Sequence, residues 1–268
     1  MPLSIYQALH DLEKNNDSAA LCTVVKSEGS TPRHVGSKML VYPDGKFIGT
    51  VGGGELENRV IRAAMQALQD GKAQSLEYSM ADPSRGDPGV CGGQVEVFVE
   101  PIFPAPTLVV IGAGHVGKAV VHLAKWLGFR VAVCDDRVEF CNPETTPGAD
   151  AYYPIEMGKL VEKLEVTKQT YLVVTSRGSS VDALGLPSLL ETDSAYVGVI
   201  GSKRRWATTA KALKEKGVSD ALIEKVRSPM GLELQAETPE EIAVSIMAEV
   251  LMVRDKGSGK PMAAPKKL

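Results

Sequence analysis

Residues 107–137 constrain the fold of this chain more than any other stretch. Leu108-Val109-Val110-Ile111 is an uninterrupted apolar run, followed at once by Gly112-Ala113-Gly114-His115-Val116-Gly117. An unbroken apolar strand is expected where both faces of a parallel sheet are covered. The GxGxxG pattern is a weak signal alone, but between a strand and the start of a helix over 115–127 it reads as a phosphate-binding turn. There Gly112 allows the tight bend, Gly114 lets a pyrophosphate approach the backbone, and Gly117 lets the helix pack closely on the strand. The helix N-terminus adds N–H donors and a partial positive charge. His115, inside the turn, is either a ligand contact or a simple cap.

The next strand, 130–134, runs into Asp135-Asp136-Arg137. Alternation puts Asp135 on the face of Val131 and Val133, about 20 residues past the glycines, where a carboxylate accepts from ribose hydroxyls. Such an acid repels a 2′-phosphate, so unphosphorylated ribose, as in NAD, is favoured over NADP; the neighbouring Arg137 works against that preference. The expected fold is α/β, with a Rossmann-like parallel sheet in the second part of the chain preceded by a smaller α+β domain. Two later apolar strands, 171–175 and 195–200, run into Ser176-Arg177-Gly178 and Gly201-Ser202-Lys203-Arg204. Ligands bind outside the carboxyl ends of such strands. Asp135, Asp136, Arg177, Ser202 and Lys203 are therefore expected to join the glycines on one crest. Cations at a helix start run against its dipole, so Lys203-Arg204-Arg205 marks either an anionic ligand or a solvated charged turn.

Pro101, Pro104 and Pro106 fall within six residues, the composition of a short stiff linker. The expected division is an α+β domain over 1–100, a linker over 101–106, a nucleotide-binding domain over 107–254 and a disordered tail over 255–268. In the first domain, helical spacing near the start precedes expected strands at 19–25, 38–42, 47–51, 75–80 and 94–100, with a helix over 55–69 ended by Gly71. Further helices are expected at 155–164, 204–216, 220–226 and 239–252.

Three Gly-containing loops stand out in the first domain: 28–33, 52–57 and 90–93. Gly52-Gly53-Gly54 before a helix is an anion nest, a site for a ligand donor group or cation because Glu55 and Glu57 disfavour a close phosphate, or a tight turn with those Glu residues at favourable first-turn positions. Cys91, followed by two glycines, is an accessible thiol suited to nucleophile, sulfur-carrier or soft-ligand chemistry. Cys22 and Cys134 fall in apolar strands and are expected as buried hydrophobes, and Cys141 as incidental in a loop. None of the cysteines shows CxxC spacing, and no metal set emerges with the four histidines. Free thiols fit a reducing, cytoplasmic compartment. The net charge of −3 gives no reason to expect nucleic acid, and neither a membrane span nor a secretory leader is expected.

The chain resembles the XdhC/CoxI-type accessory proteins of molybdenum hydroxylases over about residues 3–253. The resemblance is carried by Glu28-Gly29-Ser30-Thr31-Pro32-Arg33, Gly36-Ser37-Lys38-Met39, 49–57 around the triple glycine, and Cys91-Gly92-Gly93. Beyond these it is carried by 112–117, Asp135-Asp136-Arg137, 201–204, Pro229-Met230-Gly231-Leu232 and 238–243. It implies a maturation factor rather than a catalyst. Such a factor binds molybdopterin or its dinucleotide form, supports sulfuration of the cofactor and delivers it to a molybdenum hydroxylase apoenzyme, with a cysteine desulfurase as a further partner and a homo-oligomeric state. Arg33, Gly53, Gly54, Glu57 and Cys91 are the expected site residues of the first domain. Ser179 stands where the family usually carries His, so a role for that His does not transfer. The alternatives are an NAD-dependent oxidoreductase, which lacks a clear acid–base pair here, and a nucleotide-sensing module without chemistry.

Overall fold

The structure, a computed structural model, describes residues 4–15, 17–79 and 92–263; Cys91 lies outside them. The chain divides into two compact units, Met1–Pro104 and Ala105–Leu268.

The first unit is built on an antiparallel sheet of five strands: β1 (Ala19–Glu28), β2 (Lys38–Val41), β3 (Phe47–Gly49), β4 (Gln74–Ser79) and β5 (Gln94–Ile102), in the order β3-β2-β1-β5-β4. Val95, Val97 and Val99 alternate inward along β5 and meet Ala20, Cys22 and Val24 of β1, the period-2 signature of a half-covered sheet. Helix α2 (Gly54–Asp70) covers that face with Leu56, Val60, Ala64 and Ala67. It ends at Gly71, whose φ of 69° a side chain would disfavour. Helix α1 (Ile5–Asn15) packs Ala8 and Leu12 with Ala19 and Leu40. Strand β5 continues through Pro101 and Ile102, beyond the end of β4, where it pairs with β1 alone. A proline is tolerated there because one side of the strand makes no ladder.

The second unit holds six parallel strands: β6 (Thr107–Ile111), β7 (Arg130–Cys134), β8 (Ala151–Tyr153), β9 (Thr170–Val174), β10 (Tyr196–Val199) and β11 (Val226–Arg227). Their order, β11-β10-β9-β6-β7-β8, is that of the dinucleotide-binding fold, with the order reversing between β6 and β9. Helices α3 (His115–Trp126) and α7 (Pro239–Arg254) cover one face, packing on Leu108, Val110, Val131 and Val133. Helices α4 (Ser179–Leu190), α5 (Lys203–Glu215) and α6 (Asp220–Glu224), with a 3₁₀ turn at Met157–Glu162, cover the other against Val109, Ile111, Ala132 and Cys134. The helix expected over 155–164 is therefore a 3₁₀ turn, and part of 220–226 is strand β11.

Among the described residues no helix is long and apolar enough to cross a membrane.

Candidate functional site

The fingerprint turn in the second unit uses its three glycines differently. Gly112 has a φ of 106°, and a β-carbon there would lie 2.6 Å from the Thr175 carbonyl oxygen. A β-carbon on Gly117 would lie 2.0 Å from the Gly112 carbonyl oxygen. Gly114 is different: a β-carbon would meet nothing within 4 Å, and its backbone is ordinary extended chain (φ −72°). Two glycines thus serve packing, while the third leaves clear space over the start of α3. The Thr175 hydroxyl donates to the Gly112 carbonyl at 2.6 Å, tying the end of β9 to the turn; spacing alone offered no signal for Thr175.

Helices that start beside Gly-rich turns have no side-chain cap: α2 after Gly53, α3 after Gly114 and α4 after Gly178. By contrast, α5, α6 and α7 are capped by Ser202, Ser219 and Thr238. The free N–H groups of an uncapped first turn suit an anion. Ser202 commits its oxygen to the Arg205 N–H at 3.2 Å, while Lys203 and His115 are exposed.

The two aspartates after β7 part company. Asp135 is 5% exposed. Its Oδ2 accepts from the Ala113 N–H at 2.8 Å and Arg137 Nη2 at 2.8 Å; its Oδ1 accepts from the Arg137 N–H at 3.0 Å and Nε at 2.9 Å. Burial pushes this carboxyl's pKa up, but the hydrogen bonds from Arg137 and Ala113 outweigh it, and the net direction is down. Arg137 in turn lies over the Phe140 ring, 4.1 Å from its centroid. Asp136 is exposed and makes a two-pronged pair with Arg177, at 2.8 and 2.7 Å, bridging the ends of β7 and β9. Asp135, expected to accept from ribose hydroxyls, has its acceptor capacity filled from within the chain.

Beside that pair lies a cavity of about 350 Å³ on the α4 face of the sheet. Its walls are Ile111, Cys134, Ile155, Met157, Val181 and Leu184, with Asp135, Asp136, Ser176 and Arg177 among the polar residues. Behind it, buried Asp182 pairs with Arg205 Nη2 at 2.7 Å and bonds the Ser176 hydroxyl; Arg205 also reaches the Ser176 carbonyl at 3.1 Å. This brace between α4, α5 and the end of β9 was legible only as scattered charges. The Cys134 thiol is pushed by burial to a pKa of about 12, and Cys22 likewise. Both are thus packing residues, and so is Cys141, 3% exposed with its thiol donating to the Val133 carbonyl at 3.4 Å.

In the first unit the Gly loops meet one another. A β-carbon on Gly93 would lie 2.4 Å from the Ser30 carbonyl and 2.6 Å from that of Glu28. A β-carbon on Gly52 would strike the Pro32 ring at 2.8 Å. The 28–33 loop therefore rests on Gly93 on one side and Gly52 on the other. Glu57 is turned inward, accepting from the Thr50 hydroxyl, which also accepts from the Gly52 N–H at 3.2 Å. Gly53 and Gly54 have positive φ and open space above them, and Arg33 is exposed. Glu55 binds Arg59 and Arg62 along α2.

Comparison with known proteins agrees with both units. A model of the XdhC Rossmann domain matches residues 108–250, and one of the XdhC and CoxI family matches residues 12–79. The uncharacterized protein YqeB of Escherichia coli K12 is 37% identical over 265 residues, which are 98% of this chain and 48% of that protein, so the chain spans about half of that relative's length. A protein of Bacillus subtilis 168 described as a probable xanthine dehydrogenase subunit is 24% identical, over 94% of this chain and 98% of its own. The molybdenum cofactor insertion chaperone PaoD of E. coli K12 is 23% identical, over 88% and 83%. A crystal structure described as a xanthine dehydrogenase from Bacillus halodurans shares the fold, with a TM-score of 0.51 at 21% identity over 98% of both chains. With matches in both units, the larger covering 108–250, the chain belongs to the XdhC and CoxI family.

Proposed function

We propose that this protein is an accessory factor that holds molybdenum cofactor and hands it to a xanthine-, aldehyde- or CO-dehydrogenase-type apoenzyme. The observation that carries this is the crest of the second unit: an uncapped helix start under the open face of Gly114, beside an apolar cavity. A pterin dinucleotide presents a pyrophosphate and a ribose to such a site. The similarity to PaoD and to the B. subtilis protein supports the choice of cargo. Gly114, His115, Asp136, Arg177 and Lys203 are the proposed cofactor contacts, with Gly112, Gly117, Asp135 and Ser202 holding the turn and helix that carry them. In the first unit, Arg33, Gly53, Gly54 and Glu57 surround the loops that meet at Gly52 and Gly93, and Cys91 is proposed for sulfur handling with a cysteine desulfurase as donor. A cytoplasmic, homo-oligomeric protein fits this role.

Capture from a lysate containing molybdopterin and its dinucleotides, followed by mass spectrometry of what the purified protein retains, tests the assignment. Retention of either form supports it. Retention of NAD with neither pterin form present sinks it in favour of the oxidoreductase alternative.

A further inference from the structure

The outer side of the two helices that cover one face of the parallel sheet is left partly bare. Helices α3 and α7 pack side by side on that face. Both end at the same edge of it, where Arg254 lies over the Phe129 ring, 5.4 Å from its centroid. Helix α7 is apolar on most of its circumference, the pattern of a helix covered on all sides. The chain covers it in part, with residues 257–259 lying against Met252 and Leu232. Three large apolar side chains stay in solvent: Trp126 at the end of α3 (80% exposed), Val244 on α7 (49%) and Leu234 in the loop beside it (53%).

Trp126 projects, whereas Leu234 and Val244 form a hollow of about 250 Å³ with Ala236 and Glu241. Val244 lies ten residues before Arg254, about 15 Å along the helix, so knob and hollow stand apart on one surface. Charge is divided in the same way. Helix α3 carries His115, Lys118, His122 and Lys125 and no acid. The hollow is approached through Glu233 and Glu237 and bordered by Glu240 and Glu241, all four exposed. Among the described residues none of these carboxylates has an ion-pair partner in the chain. Of the α3 cations only Lys125 is paired, with Asp150.

Knob and hollow, cations and carboxylates, complement each other but do not meet within one chain. A two-fold axis normal to the surface and midway between them lays α3 of one copy antiparallel across α7 of the other. It fills both hollows at once, as a closed isologous contact requires. We infer that this surface is a dimer interface and that its occupant is a second copy of this chain. Trp126 of each copy enters the hollow of the other, and the cations of α3 face the carboxylates around the hollow. A buried indole N–H needs an acceptor; Glu241 uses Oε2 for the cap of α7 and keeps Oε1 for the indole. The inference rests on the proposed function only in taking the protein to self-associate, and it gives that association one surface and one order.

Sedimentation equilibrium of the full chain tests the state, and a mixing experiment tests the surface. Wild type is expected to be a dimer at micromolar concentration. Trp126→Ala and, separately, Val244→Glu are expected to raise the dimer dissociation constant by about thirtyfold or more, the loss of a buried anchor, with thermal melting confirming folded chains. Trp126→Cys mixed with Leu234→Cys is expected to give, on oxidation with glutathione disulfide, dimers whose peptides are joined at positions 126 and 234, because the mixed pair keeps one intact knob and hollow. Either variant alone is expected to give no such peptide. A monomeric wild type overturns the inference together with the homo-oligomeric reading. A dimer that Trp126→Ala leaves unchanged, or a mixture without that joined peptide, overturns the interface alone.

Discussion

Gly117 lies so close under Gly112 that a β-carbon on it would stand 2.0 Å from the Gly112 carbonyl oxygen. Helix α3 and the fingerprint turn touch backbone to backbone there, and nothing flexible can yield. Gly117→Ala is expected to destabilise the second unit by about 1–3 kcal/mol, visible as a lowered melting temperature. Gly114→Ala, with open space around it, is expected to melt within about 0.5 kcal/mol of wild type yet lose cofactor retention. Equal melting of the two variants would contradict this division.

Tyr196 donates its hydroxyl to Glu249 at 2.6 Å, and Glu249 also accepts from the Gly231 N–H at 2.9 Å. Burial, then the neighbouring carboxylate, drives the Tyr196 pKa far above its ordinary value, so the phenol stays protonated and donating. Tyr196→Phe leaves a buried carboxylate short of a donor and is expected to cost about 1–3 kcal/mol in denaturant unfolding. A variant of wild-type stability would show that the bond carries no net weight.

Arg205 closes the brace on Asp182, whose side chain is fully buried. Arg205→Met strands that carboxylate and is expected to cost about 3 kcal/mol. The double variant Arg205→Met/Asp182→Leu should recover most of the loss. Chemical denaturation of the three proteins measures both, and a double variant no more stable than the single one contradicts the account.

The lowered pKa of Asp135 sets the sign of its pH dependence. Its ionised form is favoured by folding, so its contribution is present above the ordinary value of 3.8 and is lost as pH falls through the lowered folded value. The melting-temperature gap between wild type and Asp135→Asn is expected to be widest near neutral pH and to shrink below about pH 4. A gap that widens on acidification contradicts this.

Gly93 lets the 28–33 loop lie on it, and a β-carbon would meet the Ser30 and Glu28 carbonyls. Gly93→Ala is expected to push that loop away and to lower activation of a client hydroxylase in a reconstituted maturation assay, leaving nucleotide affinity of the second unit unchanged. Full activation by the variant would remove the loops from the function.

What the sequence shows of this fold follows from which signals are local. The strand–glycine–helix turn at 108–117 is legible because each residue's part is set by its immediate neighbours. Helix α4 is not. It has buried residues from Asp182 to Leu190, a proline at 187 inside it, and Gly185 pressed against Met157, so its apolar residues make no stripe. The short strands β8 and β11 exist because a neighbouring strand offers a ladder, and three or two residues carry no period of their own. In the site, the glycines could be placed from spacing, but the engagement of Asp135 with Arg137 and of Asp136 with Arg177 depends on side chains turning to different sides, one pair local and the other 41 residues apart in sequence.

The division of labour between neighbouring aspartates has an evolutionary consequence. Position 135 is locked into the scaffold, and change there is felt by the fold. Position 136 is tied to an exposed arginine, so it can drift at little cost to folding. Under the proposed function, relatives with the same backbone can exchange one cargo for another by altering a single surface carboxylate and its partner, and divergence of ligand preference is expected to concentrate at 136 and 177 while 135 and 137 stay fixed.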